Sequence, residues 1–463
     1  MNKKQSIPVI LILAFLVSAI QVHAQQPHVL TVRQAVDLAF KNLADIKNAQ
    51  IDYRLQLSKN KEITGQALPQ LNGNVSANHY FKLPAILFPD ASQAGIYNIL
   101  LKEGLLPNGT VVPAPTMQQV SFQQPWNMSA GANLTQLLFQ PDVFVALQAR
   151  KASLEYYTTL VDQQKERVKD SAYRRYYAIL IAQKQLQFLD SSIVRLEKLY
   201  RDDSIMYKNG FAEKLDLDRV QVQLTNLKTN RSVVGNAVTL SYAALKFAIG
   251  VPQTDSIVLQ ENLSIEAVKA NILDNNFSYE NRVEIQMLEK TRQLQQLDMK
   301  RHQLGYIPTV AASANYTVNG LGQKFFTNSN TTWINSAFVG LNINVPIFDG
   351  FQRKQRVEQS RLNLEKLDNT IGNVKQAIDF QQVVTRESMT NALLNLDAQQ
   401  RNMTLAETVY QTTKKKFEQG LGSSFEVLQS DADLQAAQSN YFTALYNAIV
   451  ARIGYQSSLG KLE

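Results

Sequence analysis

The 463-residue sequence predicts a mainly α-helical protein with membrane-type β-strands, built as a duplicated helix–strand–strand–helix repeat. Three observations predict it. Residues 142–209 contain neither glycine nor proline, enough for one helix on the order of 100 Å at the usual rise per residue. Four stretches of roughly ten residues alternate apolar side chains with Asn, Ser and Thr, the period of a strand with one apolar and one polar face. Landmarks of the first half recur in the second at constant offsets, the mark of an internal duplication.

At the start of the chain, Lys3 and Lys4 precede an apolar run from Ile7 to Ile20 and the small-x-small pattern Val22-His23-Ala24. Residues 1–24 therefore read as a secretory signal peptide cut after Ala24. The alternative, a membrane anchor, is disfavoured because the run falls short of the roughly 20 residues that a spanning helix needs. There is no cysteine, which excludes a disulfide framework and a lipid on an N-terminal cysteine. The formal charge of +8 is spread among many acidic residues, and Lys414-Lys415-Lys416, the only basic run of three, reads as a solvated helix face. Nothing in this charge pattern indicates a nucleic-acid partner.

Thr31 and Gln34 are spaced as a capping box ahead of Ala35, Leu38 and Ala39, opening a helix to about Thr64. Leu71, Gly73, Val75, Ala77 and His79 then alternate with Asn72, Asn74, Ser76, Asn78 and Tyr80 as a first strand. Residues 83–125, with six prolines, read as a large exposed loop too irregular for a helix. A second strand runs from Trp126 to Phe139, and Pro141 suits the first turn of the long helix. From Ala182 the apolar residues of that helix fall at spacings of four and three: Leu186, Leu189, Ile193, Leu196, Tyr200 and Tyr207, a heptad seam broken only by Asp203. After Asn209-Gly210 the seam resumes at Leu217, Val220, Leu224, Leu227, Val234, Val238, Leu245 and Ala248, so two helices run antiparallel.

Gly250-Val251-Pro252 closes a first repeat, residues 25–252; residues 253–280 read as a linker and residues 281–463 as a second repeat. Asn281, Glu284, Ile285, Leu294, Ile307 and Pro308 answer Asn42, Asp45, Ile46, Leu55, Leu68 and Pro69 at an offset of 239. Tyr410, Gly420, Leu434 and Gly460 answer Tyr200, Gly210, Leu224 and Gly250 at an offset of 210. The strands return as Val310 to Val318 and Trp333 to Val345. Such strands fit a barrel wall with lipid outside and water inside, a tryptophan near the start of each second strand serving as an interface anchor. Four strands cannot close a barrel, and bare edges are forbidden in lipid, so other copies of the chain must complete it.

On the duplicated order, on Gly65-Gln66-Ala67-Leu68-Pro69 before the first strand, on Val345-Pro346-Ile347-Phe348-Asp349-Gly350 after the last and on Gly420 through Leu434, the chain resembles the TolC-like outer-membrane efflux proteins. The resemblance spans essentially the whole mature sequence. It implies a homotrimer with a twelve-stranded β-barrel in outer-membrane lipid, continued by an α-helical coiled-coil periplasmic tunnel. It further implies a passive exit duct of a tripartite efflux or type I secretion system, without cofactor, that meets a periplasmic adaptor and an inner-membrane pump.

By the same resemblance, Asn209-Gly210-Phe211 and Gln419-Gly420-Leu421 are adaptor-docking tips, and Asp216, Phe417, Gly422, Glu426 and Gln429 stand at a periplasmic gate. Here the sequence departs from the family pattern: Gly422 replaces its latch arginine, Phe417 its latch tyrosine and Gln429 its second gate aspartate, which implies a weaker acidic ring. Without the resemblance, the glycines read as helix caps and Asp216 and Glu426 as first-turn acids.

No enzyme site is indicated. His23, His28, His79 and His302 lack metal-ligand spacing, and Gly454 to Lys461 lacks the spacing and hydroxyl of a phosphate loop. Two other readings stay open to the sequence, a soluble periplasmic coiled-coil scaffold and a secreted hydrolase.

Overall fold

The computed structural model describes residues 28–260, 277–325 and 331–462. The signal peptide read at residues 1–24 and residues 261–276 of the linker read at 253–280 lie outside the described residues. In chain order the elements are β1 (His28–Leu30), α1 (Val32–Asn42), α2 (Ala44–Gln66), β2 (Gln70–His79), β3 (Ile86–Asp90), α3 (Ser92–Lys102), β4 (Thr116–Val120), β5 (Trp126–Phe139), α4 (Pro141–Lys208), α5 (Lys214–Ala248), β6 (Ile257–Leu259), α6 (Val283–Leu304), β7 (Thr309–Gly322), β8 (Thr332–Asn344), α7 (Gln352–Glu418) and α8 (Ser424–Ser458), with a 3-10 turn at Tyr279–Asn281. The duplication holds in length: α4 and α7 have 68 and 67 residues, α5 and α8 35 each. Two compact units form, one from the chain up to Leu57 with Lys151–Leu294 and Leu364–Glu463, the other from Ser58–Arg150 and Gln295–Asn363.

In the first, helical unit, Thr31 Oγ1 accepts the Gln34 N–H at 3.3 Å while Gln34 Oε1 accepts the Thr31 N–H at 2.9 Å, completing the capping box. The single helix expected to Thr64 instead breaks at Leu43, whose backbone is extended. The Gly250 turn packs there: a Cβ on Gly250, at φ +67°, would stand 2.8 Å from Asn42 Cβ. The linker is also more ordered than its composition suggests. Its β6 pairs in parallel with β1, and the buried Tyr176 hydroxyl donates to Leu30 O at 2.8 Å. Ile257 thereby joins a core with Leu30, Val36, Ile46, Tyr176, Ile179, Leu245 and Ile249.

The α4 seam is also broader than the reading of the sequence. The fully buried positions are Leu189, Ser192, Leu196, Leu199 and Asp203, Ile193 and Tyr200 pack half-buried on the same cluster, and Tyr207 is exposed. The cause is that this stretch packs against three helices instead of one. Leu189, Leu196 and Leu199 meet Val220, Leu224 and Leu227 of α5, Tyr410 of α7, and Val427 and Leu434 of α8 in one cluster.

The second unit holds a four-stranded antiparallel sheet in the order β2-β5-β7-β8. Directly opposed residues share a face. Leu71 opposes Leu134, Ala132 opposes Tyr316 and Ala314 opposes Val339, so one face is apolar; Asn72 opposes Asn133 and Asn133 opposes Asn315 on the other. The alternation is incomplete: Leu321 of β7 and Ile334 and Phe338 of β8 fall on the polar face, and Asn335 on the apolar one. Val75 and Val339 are 85% and 86% exposed, so nothing within the chain covers the apolar face there. The two tryptophans gather at one end of the sheet, Trp126 against His79 and Phe325 with ring centroids 4.6 Å away, Trp333 over Gly320.

Residues 83–125 are exposed as expected but are not an irregular loop. They form α3 and a β3–β4 ladder. Helix and strands are possible because the prolines lie outside them, except Pro89 in β3, a strand with one open edge of the kind that tolerates proline. After the last strand, Asp349 accepts Arg353 Nε at 2.7 Å, and Arg353 Nη1 donates to Gly305 O at 3.2 Å. That pairing accounts for the acid and the following helix start in the Val345–Gly350 motif.

Gly131 is the tight point of the sheet, since a Cβ there would lie 2.7 Å from Thr317 Oγ1 and 2.9 Å from Tyr316 O, whereas one at Gly73 meets nothing closer than 3.9 Å. Gly131→Leu should abolish the protease-resistant folded form, because backbone cannot yield as a side chain can. Gly73→Ala should leave it intact, as limited proteolysis will report.

Candidate functional site

The two interhelical turns and the helix ends beside them lie in the helical unit. Each turn closes by the same two hydrogen bonds. Gly210 N–H donates to Tyr207 O at 3.1 Å and Phe211 N–H to Met206 O at 2.8 Å; Gly420 N–H donates to Phe417 O and Leu421 N–H to Lys416 O, both at 2.9 Å. This is the Schellman closure, which needs a left-handed residue, and Gly210 and Gly420 supply it at φ +77° and +75°. A Cβ on either would meet nothing within 4 Å, so conformation, not space, requires glycine. Asn209 Nδ2 donates to Ile205 O at 2.8 Å. Phe211 and Leu421 project outward, 79% and 76% exposed.

At the start of α5, Asp216 pairs with Arg219 Nη1 at 3.3 Å, and the Arg219 guanidinium lies 5.1 Å over the Phe425 ring of α8. Arg219, absent from the reading of the sequence, thus links the acid of the first repeat to the helix start of the second. At the start of α8, Ser423 Oγ accepts the Glu426 N–H at 3.3 Å. The Glu426 carboxylate lies against Gly422, whose added Cβ would stand 3.2 Å from Oε2. A long side chain at position 422 would displace it. Phe417 is half-buried on the four-helix cluster, and Gln429 Nε2 reaches along its own helix to Asp433 Oδ1 at 3.0 Å. The structure therefore brings Phe417, Gly422 and Glu426 together; among the described residues no ion pair joins Asp216 to α8.

Two further groups escaped the sequence pattern. Asp431, 1% exposed, takes Arg195 Nε at 2.7 Å across the α4–α8 contact, and Arg195 also stacks 5.1 Å over Tyr410. Burial pushes the Tyr410 hydroxyl up to about 12. Asp203, the residue that breaks the heptad, is fully buried where α4 meets Ser424 of α8, and neither carboxylate oxygen has a hydrogen-bond partner among the described residues. Burial raises its pKa to about 6; the facing Ser424 hydroxyl opposes the shift, and Asp216 and Asp202 add to it. The signal for Asp203 was its position in the seam, whereas Arg195 and Asp431 carried none. Among the described residues no cluster of His, Cys, Asp or Glu could hold a metal, and no helix is long and apolar enough to cross a membrane.

Residues 278–461 match the family model described as outer membrane efflux protein. The outer membrane protein TolC of Vibrio cholerae serotype O1 is 19% identical over 345 residues, covering 72% of this chain and 77% of that protein. Two solved structures share the fold at low identity. One is CusC, described as forming a transmembrane channel, with a TM-score of 0.70, 14% identity and coverage of 92% and 91% of the two chains. The other is the Campylobacter jejuni CmeC outer membrane channel, with a TM-score of 0.66, 15% identity and coverage of 93% and 85%.

The buried Asp203 fixes a pH dependence. Its folded pKa is raised from 3.8 to about 6, so its contribution favours the folded state fully below the unfolded value and is lost as pH climbs through about 6. The loss is on the order of 3 kcal/mol per chain between pH 4 and 7. Asp203→Asn should raise the thermal midpoint at pH 7.5 and flatten this part of the profile; a variant that keeps the parental profile would mean that the carboxylate is solvated.

Proposed function

We propose that this chain is a TolC-like outer-membrane efflux protein, three copies of which form the outer-membrane exit duct of a tripartite efflux or type I secretion system. The single observation that carries the reading is the open sheet: four antiparallel strands, one face apolar and uncovered, the other lined by Asn, Ser and Thr, with β2 and β8 each paired on one side only. Lipid accepts the first face and a water-filled lumen the second, while the two edges demand partners. Three copies give a closed barrel of twelve strands when β8 of each pairs with β2 of the next.

The protein resides in the outer membrane with a periplasmic helical extension, and members of its family are channels, not enzymes. Transport through such a duct is passive, so energy must come from an inner-membrane pump reached through a periplasmic adaptor. The turns at Asn209–Phe211 and Gln419–Leu421 suit the docking role: each ends a glycine-closed helix pair with one bare apolar side chain, Phe211 or Leu421. The helix starts beside them suit the gate, where three copies of Glu426 would ring the entrance. Asp216 is partly neutralised by Arg219, and Gln429 adds no charge, so this ring holds cations through Glu426 alone. Closure without a latch arginine rests on the packing around Phe417 and Val427 and on the Arg195–Asp431 pair.

Extraction tests the reading. The protein should need detergent and run as a heat-dissociable trimer; a chain released as a soluble species would favour a periplasmic scaffold. In planar bilayers, Glu426→Gln should lower cation preference and divalent-cation block, and unchanged values would leave Glu426 only its place in the first turn of α8. Phe211→Ser with Leu421→Ser keeps both glycine turns and should abolish export at unchanged trimer yield, whereas normal export would remove these side chains from docking.

A further inference from the structure

The segment between β2 and β5 is the largest feature that the duct itself does not use. It leaves the sheet at the end away from the chain connections to α2 and α4, because α2 leads into the start of β2 and the end of β5 leads into α4. With the helices in the periplasm, this end is external. The root is well tied: Tyr80 N–H donates to Pro125 O at 2.8 Å, and Gln323 Nε2 donates to Gln124 Oε1 at 2.6 Å. Beyond the root, no residue from Phe81 to Pro125 is buried, although the segment forms a helix and a two-stranded ladder. A two-stranded ladder without a core is marginal in water. Something outside this chain must cover it.

The chemistry of the surface says what. Leu87, Ile99, Leu105, Met117 and Phe122 are each more than half exposed, and Phe81 is 97% exposed. Charges are limited to Lys82, Asp90, Lys102 and Glu103, which cancel. An anionic membrane surface would select basic residues, and a soluble charged partner would select the opposite sign. A neutral apolar surface selects another like itself. Its origin matters too, since it springs from β2, an edge strand that lies at the seam with a neighbouring copy in a closed barrel.

Resting on the trimeric duct, we propose that the α3 and β3–β4 segment is an intersubunit clasp, packing its apolar surface on a second copy of this chain across the β2–β8 seam at the outer end of the barrel. The segment then acquires the core that it lacks alone, and the seam is reinforced outside the bilayer. In the second repeat only the nine residues 323–331 separate the two strands, so a trimer carries three clasps, one per seam.

The absence of native cysteine makes the test direct. A cysteine at Ile96, Ile99 or Leu105, each combined with a second cysteine at Thr332 where β8 begins at the outer end, is treated in the full-length trimer with a short bis-maleimide, and a bimane label at Ile96, Ile99 or Leu105 alone is read for quenching by nitroxide-labelled lipid. Covalent dimers from at least one site, no lipid quenching, and a lowered heat-dissociation temperature for Ile99→Glu with Leu105→Glu are the expected results. An intact trimer without cross-links at any site and with an unchanged dissociation temperature overturns the clasp, and lipid quenching overturns it in favour of the membrane surface. If the parent itself forms no trimer, the duct reading falls and the clasp falls with it.

Discussion

Backbone hydrogen bonding at the two open edges of one sheet governs this protein. An unpaired N–H or C=O costs several kcal/mol in hydrocarbon, and β2 and β8 each carry a full row of them. The alternation of side chains makes that cost unavoidable, because it commits the apolar face to lipid and so forbids water from satisfying the edges. In the proposed trimer, the remaining constraint is to bring further copies into register. Gly131 shows how little latitude the register leaves, since even one methylene would drive into the backbone of β7. The duplicated sequence helps to meet the same need: equal helices follow each hairpin, so each pair of strands feeds a similar pair of helices.

The helices solve a different problem. Heptads give each a continuous apolar seam, but a four-helix junction has more than one contact to satisfy, and the polar residues buried there decide which helices meet. Arg195 and Asp431 form a hydrogen-bonded pair whose disruption would strand a charge inside. Asp203 has no such partner. It is a standing cost at neutral pH, placed where α4 meets the start of α8 and within a few residues of Gly210.

Much of this was legible because it is periodic or punctuated. Strand faces follow from alternation, the turns from Asn209-Gly210 and Gln419-Gly420, the first cap from Thr31 and Gln34, and the duplication from offsets. What was not legible depends on contacts remote in sequence. Three residues of β1 and three of β6 carry no pattern, and only their pairing makes them strands. The seam of α4 was read too narrow, with Ile193 and Tyr200 but without Ser192 and Leu199, because the periodicity does not say how many helices will pack on it. Pro-rich residues 83–125 concealed α3 for the opposite reason: the prolines were counted instead of located. At the helix starts beside the turns, the sequence displayed Asp216 and Gly422 but not Arg219 over Phe425, which requires two helices to be side by side.

The β1–β6 pairing has a kinetic side. The partner of His28–Leu30 is Ile257–Leu259, about 230 residues later, and a chain emerging at roughly 5–20 residues per second would wait for it on the order of ten seconds or more. Until then Leu30 has neither its strand partner nor, for most of that time, the Tyr176 hydroxyl that holds it. The three residues of β1 are therefore fastened only after the first repeat has been made. A fold that fastens its beginning only after its first half is complete postpones its own premature closure.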